Sequence, residues 1–112
     1  MFWRLILFFL FFNTGFVSAG FLPMTEDIPL MDGIVLKETG YFSFDTPAGQ
    51  ILTFEGETKE EKQVVRDFYD KTLTALGWYQ KKTDFYVRGN DTMTLSFPKK
   101  NKVRFDVLLS NN

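Results

Sequence analysis

The sequence predicts an α+β fold: a β-hairpin, one amphipathic helix, then a three-strand antiparallel meander, with the helix packed on one face of the sheet. Three observations carry that reading. Residues 56–78 repeat apolar side chains at helical spacing, with start and stop signals at both ends. The flanking segments alternate apolar and polar residues, as half-buried strands do. Short clusters of Gly, Pro, Asn and Asp separate those strands. An antiparallel sheet with one apolar face needs a cover, and one amphipathic helix supplies it.

The helix is the most fully specified element. Thr58 and Glu61 have capping-box spacing, which predicts an N-cap at Thr58. Glu57, Glu60 and Glu61 place negative charge at the positive end of the helix dipole. Val64, Val65, Phe68, Tyr69, Leu73 and Leu76 draw an apolar stripe, and Lys62, Arg66, Asp67, Asp70 and Lys71 fill the opposite face. Arg66 with Asp70, and Asp67 with Lys71, have i,i+4 spacing. Gly77 is placed to take the left-handed conformation that ends a helix, with Trp78 packing back on Leu73.

Strands surround it. Ile34–Glu38 is a short edge strand. Tyr41–Asp45 and Gln50–Glu55 form a hairpin around Thr46-Pro47-Ala48-Gly49, with Asp45 suited to an Asx-type turn. After the helix, 78–82 and 84–88 read as one interrupted strand, with Phe85 and Val87 on its core face. Thr92–Phe97 and Lys102–Leu109 alternate cleanly and complete the meander. Phe42, Phe44, Phe68, Phe85 and Phe105 are the aromatic candidates for the core.

Residues 1–19 read as a signal peptide. Arg4 makes a basic start, Leu5–Phe12 is an unbroken apolar run, and Val17-Ser18-Ala19 offers small residues for cleavage before Gly20. The alternative is an uncleaved inner-membrane anchor, although the run is shorter than the ~20 residues a full span prefers. Residues 20–33 form an extended N-terminal arm with Pro23 and Pro29 breaking regular pairing, and 34–112 a single α+β domain. The leader holds seven of the twenty aromatic residues, so the aromatic content is not itself a sign of a binding surface.

Composition narrows the function. The 112-residue chain has 13 basic and 14 acidic residues, a net charge of −1. Without residues 1–19 only Arg4 is lost, leaving twelve basic and fourteen acidic residues, or −2. That balance gives no basis for binding nucleic acid or an anionic membrane surface, and membrane contact is expected only through the leader. The run Lys99, Lys100, Lys102 fits a charged turn. Cysteine and histidine are absent, which excludes disulfides and thiol chemistry and removes the usual zinc and copper ligands, so no cofactor or metal site is expected. A disulfide-free small exported domain fits the bacterial periplasm better than a eukaryotic secretion, where the Asn90-Asp91-Thr92 sequon would matter.

Phe44-Asp45-Thr46-Pro47-Ala48-Gly49, Phe68-Tyr69, Leu73, Leu76-Gly77-Trp78, an aromatic strand ending at Arg88, and Ile28-Pro29-Leu30-Met31 together resemble an uncharacterised family of small exported alphaproteobacterial proteins. The likeness spans essentially the whole chain after the leader. It departs at Asp32 and Thr74, where that pattern has proline. It implies a bacterial, exported, single-domain chain and carries no activity or ligand.

Catalysis would have to rest on carboxylates, Lys, Tyr, Ser or Thr. Glu60 and Glu61 are explained by capping, Asp67 and Asp70 by a solvated helix face, and Asp45 by its turn, while Ser43 and Ser96 have no base beside them. The expectation is therefore a non-catalytic module, interacting with another protein of the envelope. The alternative is a binder of lipid or another small apolar ligand between helix and sheet. Trp78, Tyr79 and Tyr86 are the candidate interaction surface, with both tyrosines pointing away from the core, and the edge at Ile34–Glu38 is a place for a partner strand.

Overall fold

The computed structural model describes residues 20–25 and 27–111. The expected signal peptide, residues 1–19, lies outside the described residues. The chain divides into two compact units, the first ending at Asp32 and the second running over Gly33–Asn112.

In the first unit, the segment expected as an extended arm turns back on itself. Phe21 bridges Pro29, Leu22 N donates to Ile28 O at 2.9 Å, and Leu30 N donates to Gly20 O at 3.1 Å. Thr25 closes the turn, its backbone N–H and its hydroxyl both donating to Leu22 O. Pro29 takes part in the bridge without donating, so proline here limits the pairing rather than preventing it.

The second unit is one six-stranded antiparallel sheet with one helix. The elements are β1 (Ile34–Thr46), β2 (Gly49–Thr58), α1 (Lys62–Ala75), β3 (Tyr79–Lys82), β4 (Phe85–Arg88), β5 (Asp91–Ser96) and β6 (Lys102–Ser110). The strand order is β1-β2-β6-β5-β4-β3, so the last strand is inserted at the centre and β1 and β3 form the edges. The α+β architecture is as expected, with three changes. The meander after the helix has four strands, because Thr83-Asp84 turns the expected interrupted strand into a hairpin, with Asp84 at φ 62. Aspartate tolerates that left-handed conformation. The short strand at Ile34–Glu38 and the hairpin strand at Tyr41–Asp45 are one continuous edge strand, broken in register only between Leu36 and Tyr41. Thr46 replaces Asp45 as the turn's side-chain partner: its hydroxyl donates to Gly49 O at 2.8 Å and accepts from Ala48 N and Gly49 N.

Register decides the faces. Tyr41, Phe54, Phe105 and Leu95 lie opposite one another across four strands, as do Ser43, Leu52, Val107, Met93 and Tyr86 across five. Leu52, Phe54, Met93, Leu95, Val103, Phe105, Val107 and Tyr86 on this face are all buried. Cross-strand pairs share a face, so the adjacent residues point to the other side. The hairpin therefore places Phe44 opposite Ile51 and Phe42 opposite Thr53, away from the buried face. This corrects the expectation that both phenylalanines enter the core. Tyr41 takes that place, its ring stacked on Phe54 at 5.2 Å. Phe68 and Phe85 are only half-buried, and Phe105 alone of the five expected aromatics is fully enclosed.

The helix begins at Lys62, not after Thr58. Glu61 is the N-cap and makes no side-chain capping bond. Sheet pairing takes Thr58 first: it ends β2 opposite Ile34, and its hydroxyl accepts from Glu60 N at 3.1 Å. Glu57 likewise stays on the strand, 2.5 Å from the Lys102 ammonium, and that hydrogen bond holds its carboxyl below the usual range. The helix stop is as expected. Gly77 adopts φ 93, Gly77 N donates to Thr74 O, and Trp78 N donates to Leu73 O at 2.9 Å. The apolar stripe is narrower than the sequence implied: Val65, Tyr69 and Leu73 are buried, whereas Val64 and Leu76 are exposed. The Tyr69 ring of α1 meets the Phe105 ring of β6 edge-on at 5.4 Å.

The two predicted i,i+4 ion pairs give way to other partners. Arg66 engages Asp84, Asp70 accepts the Tyr86 hydroxyl, and Asp67 accepts Gln63 Nε2 at 2.9 Å. A fork-shaped guanidinium gains more from a bidentate carboxylate than from a mobile neighbour on its own helix.

Candidate functional site

The three residues expected to form an interaction surface separate on folding. Tyr86 lies on the buried face and is fully enclosed, against the expectation that it points outward. Burial first, then its hydrogen bond to Asp70, raises its pKa above the ordinary tyrosine value. β4 must present either Phe85 and Val87 or Tyr86 to the inner side, and Asp70 gives the buried hydroxyl the partner it requires. Trp78 is also enclosed, at 3% exposure, with the Arg88 guanidinium 4.6 Å above its ring. Its indole N–H is buried and has no hydrogen-bond partner among the described residues. Only Tyr79, at 65% exposure on the edge strand β3, stands at the surface.

The opposite face of the sheet holds what the sequence reading missed. One line of opposed residues crosses all six strands: Phe44, Ile51, Leu108, Thr92, Val87 and Tyr79. At ~4.8 Å between strands this row is about 24 Å long. All but Thr92 are apolar or aromatic. Beside it lies a polar strip. Thr53 Oγ1 donates to Asp106 Oδ1 at 2.8 Å, and Arg104 approaches Asp106 at 3.1 Å and Glu55 at 3.6 Å. The bond to Asp106 raises the Arg104 pKa further. One cation, Arg104, serves the two carboxylates of this strip, and the apolar row is exposed at its ends, Phe44 and Tyr79.

The exposure concentrates on β1. Phe42 and Phe44 are each 55% exposed, Val35 is 70% exposed, and every residue of 42–45 is exposed. β1 is thirteen residues long and, among the described residues, has no strand beyond it. The other edge is different. β3 has four residues, carries Lys81 and Lys82, and has a register shift between Gln80 and Lys82. Short length, lysines and irregularity are the devices that keep a sheet edge from pairing with another chain. β3 has all three. β1 has the irregularity and Lys37 in its first half, and two phenylalanines on its second.

A groove of about 490 Å³ opens at the end of the sheet where β2 leads into α1 and β5 turns into β6. Lys59, Lys62, Lys99, Lys100 and Lys102 line it, together with Glu60, Glu61 and Phe97. The Phe97 ring lies under the cations of Lys62, at 5.9 Å, and Arg66, at 5.4 Å. A smaller groove of about 220 Å³ shares Lys99 and Lys102 and reaches Lys37 on β1.

The carboxylates weighed for catalysis are not paired with one another. Asp70 is held by Tyr86, Asp67 by Gln63, and Glu60 and Glu61 border the lysine groove. Ser43 Oγ accepts from Gln50 Nε2 at 3.2 Å. Compared with protein families, curated proteins and solved structures, the chain has no match.

Proposed function

We propose that this chain is an exported, non-catalytic protein-interaction or accessory module of the bacterial cell envelope, and that it receives an extended segment of its partner along the free edge of β1. The observation that carries the reading is the pair Phe42 and Phe44, more than half exposed on a strand whose outer edge has no neighbour among the described residues. Main-chain groups of such a strand give affinity to an added strand, and alternate side chains give selectivity. The leader-like pattern of residues 1–19 supports export. The absence of His and Cys from the sequence supports a non-catalytic role. The contact of Tyr69 with Phe105 and of Asp70 with Tyr86 supports a helix that covers the inner face and leaves the outer one open.

A lipid or other apolar ligand between helix and sheet finds no comparable support. Tyr69, Tyr86, Phe54 and Phe105, the residues that would line such a cavity, are all fully buried side chains.

The test is crosslinking in cells of the full chain and of a Phe42→Asp, Phe44→Asp variant. The reading expects one recurrent envelope protein attached to the parent chain and lost from the variant, with an unchanged unfolding midpoint. Equal capture by both chains overturns it.

A further inference from the structure

We propose that the partner's docking segment is acidic at the end that passes Lys37, and that its carboxylates seat in the lysine-lined grooves. This inference rests on the protein-interaction reading and names the chemistry of the partner.

The charge distribution leads there. The chain is nearly neutral, yet six of its nine lysines, Lys37, Lys59, Lys62, Lys99, Lys100 and Lys102, border the two adjoining grooves. They come from three separate stretches of the sequence, so only folding assembles them. Among the described residues Lys102 alone of the six has a carboxylate within ion-pair distance, that of Glu57. Glu60 and Glu61 in the larger groove and Glu55 in the smaller one reduce the charge but do not balance it. Five lysines against two glutamates line the larger groove. Like charges gathered without partners repel one another, and an anionic ligand relieves that repulsion.

The shape favours a chain over a compact anion. The grooves adjoin, sharing Lys99 and Lys102. Lys37, which lines the smaller one, belongs to β1 itself, the strand that presents Phe42 and Phe44. The bulge between Leu36 and Tyr41 draws Lys37 toward the phenylalanines: Leu36, next to it, lies opposite Gly56 and Phe44 opposite Ile51, five residues apart on β2, or about 17 Å. A partner strand laid along β1 over the phenylalanines therefore runs into the basic track at Lys37.

The experiment is a titration of the isotope-labelled full chain with an octaglutamate peptide, followed residue by residue by NMR. The expected result is saturable shifts confined to residues 58–62 and 97–102 and to Lys37. Affinity falls roughly tenfold or more in a Lys99→Glu, Lys100→Glu variant and weakens with added salt. The Phe42→Asp, Phe44→Asp variant binds octaglutamate as the parent does, which separates this inference from the docking reading beneath it. Shifts spread equally over Lys71, Lys81 and Lys82, or undiminished binding by the charge-reversed variant, overturn it. So does saturation of the same residues by inorganic phosphate at equal or lower concentration, which marks a small-anion site instead.

Discussion

Arg66 on the helix holds Asp84 in the β3–β4 turn side-on, its Nε and Nη2 each 2.9 Å from a different carboxylate oxygen. The hydrogen bond to Asp84 is the main cause of the raised Arg66 pKa. Both side chains are largely shielded, Asp84 more than Arg66. The pair fastens α1 to the outermost hairpin at its turn, while the Tyr86–Asp70 bond holds the hairpin from β4; every residue of β3 is exposed.

Replacing Asp84 with asparagine keeps a residue that tolerates φ 62 and removes the charge. The expected loss is about 1–2 kcal/mol, between an exposed ion pair and a shielded charged hydrogen bond. Urea unfolding measures it. An unchanged midpoint would show that the pair does not fasten the hairpin.

Gly49 lies opposite Ser110 on β6, with the β6 backbone close against it. An added Cβ would stand 2.3 Å from Leu109 O, and the residue holds φ 147. Gly49→Ala should cost about 2–4 kcal/mol, from the strained backbone and the displaced strand together. Gly89→Ala, at φ 63 with open space around its Cβ position, should cost roughly 1 kcal/mol. Thermal or urea denaturation of the two variants separates the effects.

The helix seam makes a graded prediction. Leu73→Ala and Tyr69→Ala should each destabilise by about 2–5 kcal/mol, because both side chains are fully enclosed. Phe68→Ala, half-buried and touching the Tyr69 ring edge-on at 4.8 Å, should cost about 1–2 kcal/mol. Leu76→Ala, at an exposed position, should cost less than about 1 kcal/mol. A loss at Leu76 larger than at Leu73 would mean the helix is turned the other way.

Tyr86 sets the alkaline limit. Its folded pKa lies above the ordinary value near 10. Between those two values the unfolded chain loses the phenolic proton and the folded chain keeps it, so the unfolded state binds fewer protons and stability falls as pH rises. Below pH ~10 the contribution is fully present. Unfolding midpoints measured from pH 8 to 12 should decline beyond about 10 in the parent, and less steeply in Tyr86→Phe.

The fold class was legible because alternation and helical spacing are local signals, and the Gly77-Trp78 stop was legible because it is chemistry of adjacent residues. The helix start was not. Thr58 and Glu61 have a capping pattern, but pairing of Thr58 with Ile34 is a long-range fact that outweighs it. The facing of β1 was within reach. Thr46 and Gly49 close a turn with two residues between them, which sets Phe44 against Ile51 and so on the side away from Leu52 and Phe54. Alternation within each strand alone, without the register carried through the turn, places the phenylalanines inside. The lysine grooves were beyond reach, since Lys37, Lys59 and Lys62 join the run at Lys99–Lys102 only in the folded sheet. Tyr86 was misplaced for a related reason: its inward side depends on Asp70, sixteen residues away on another element.

The central claim is that the free edge of β1 receives the partner. Amide hydrogen exchange, compared between the isolated chain and the chain captured with its partner from cells, tests it most directly. The account predicts that the amides of β1 not engaged by β2, around Phe42 and Phe44, exchange fast in isolation and become protected in the complex. Protection confined to β3 or to α1, with β1 exchanging as before, would contradict it.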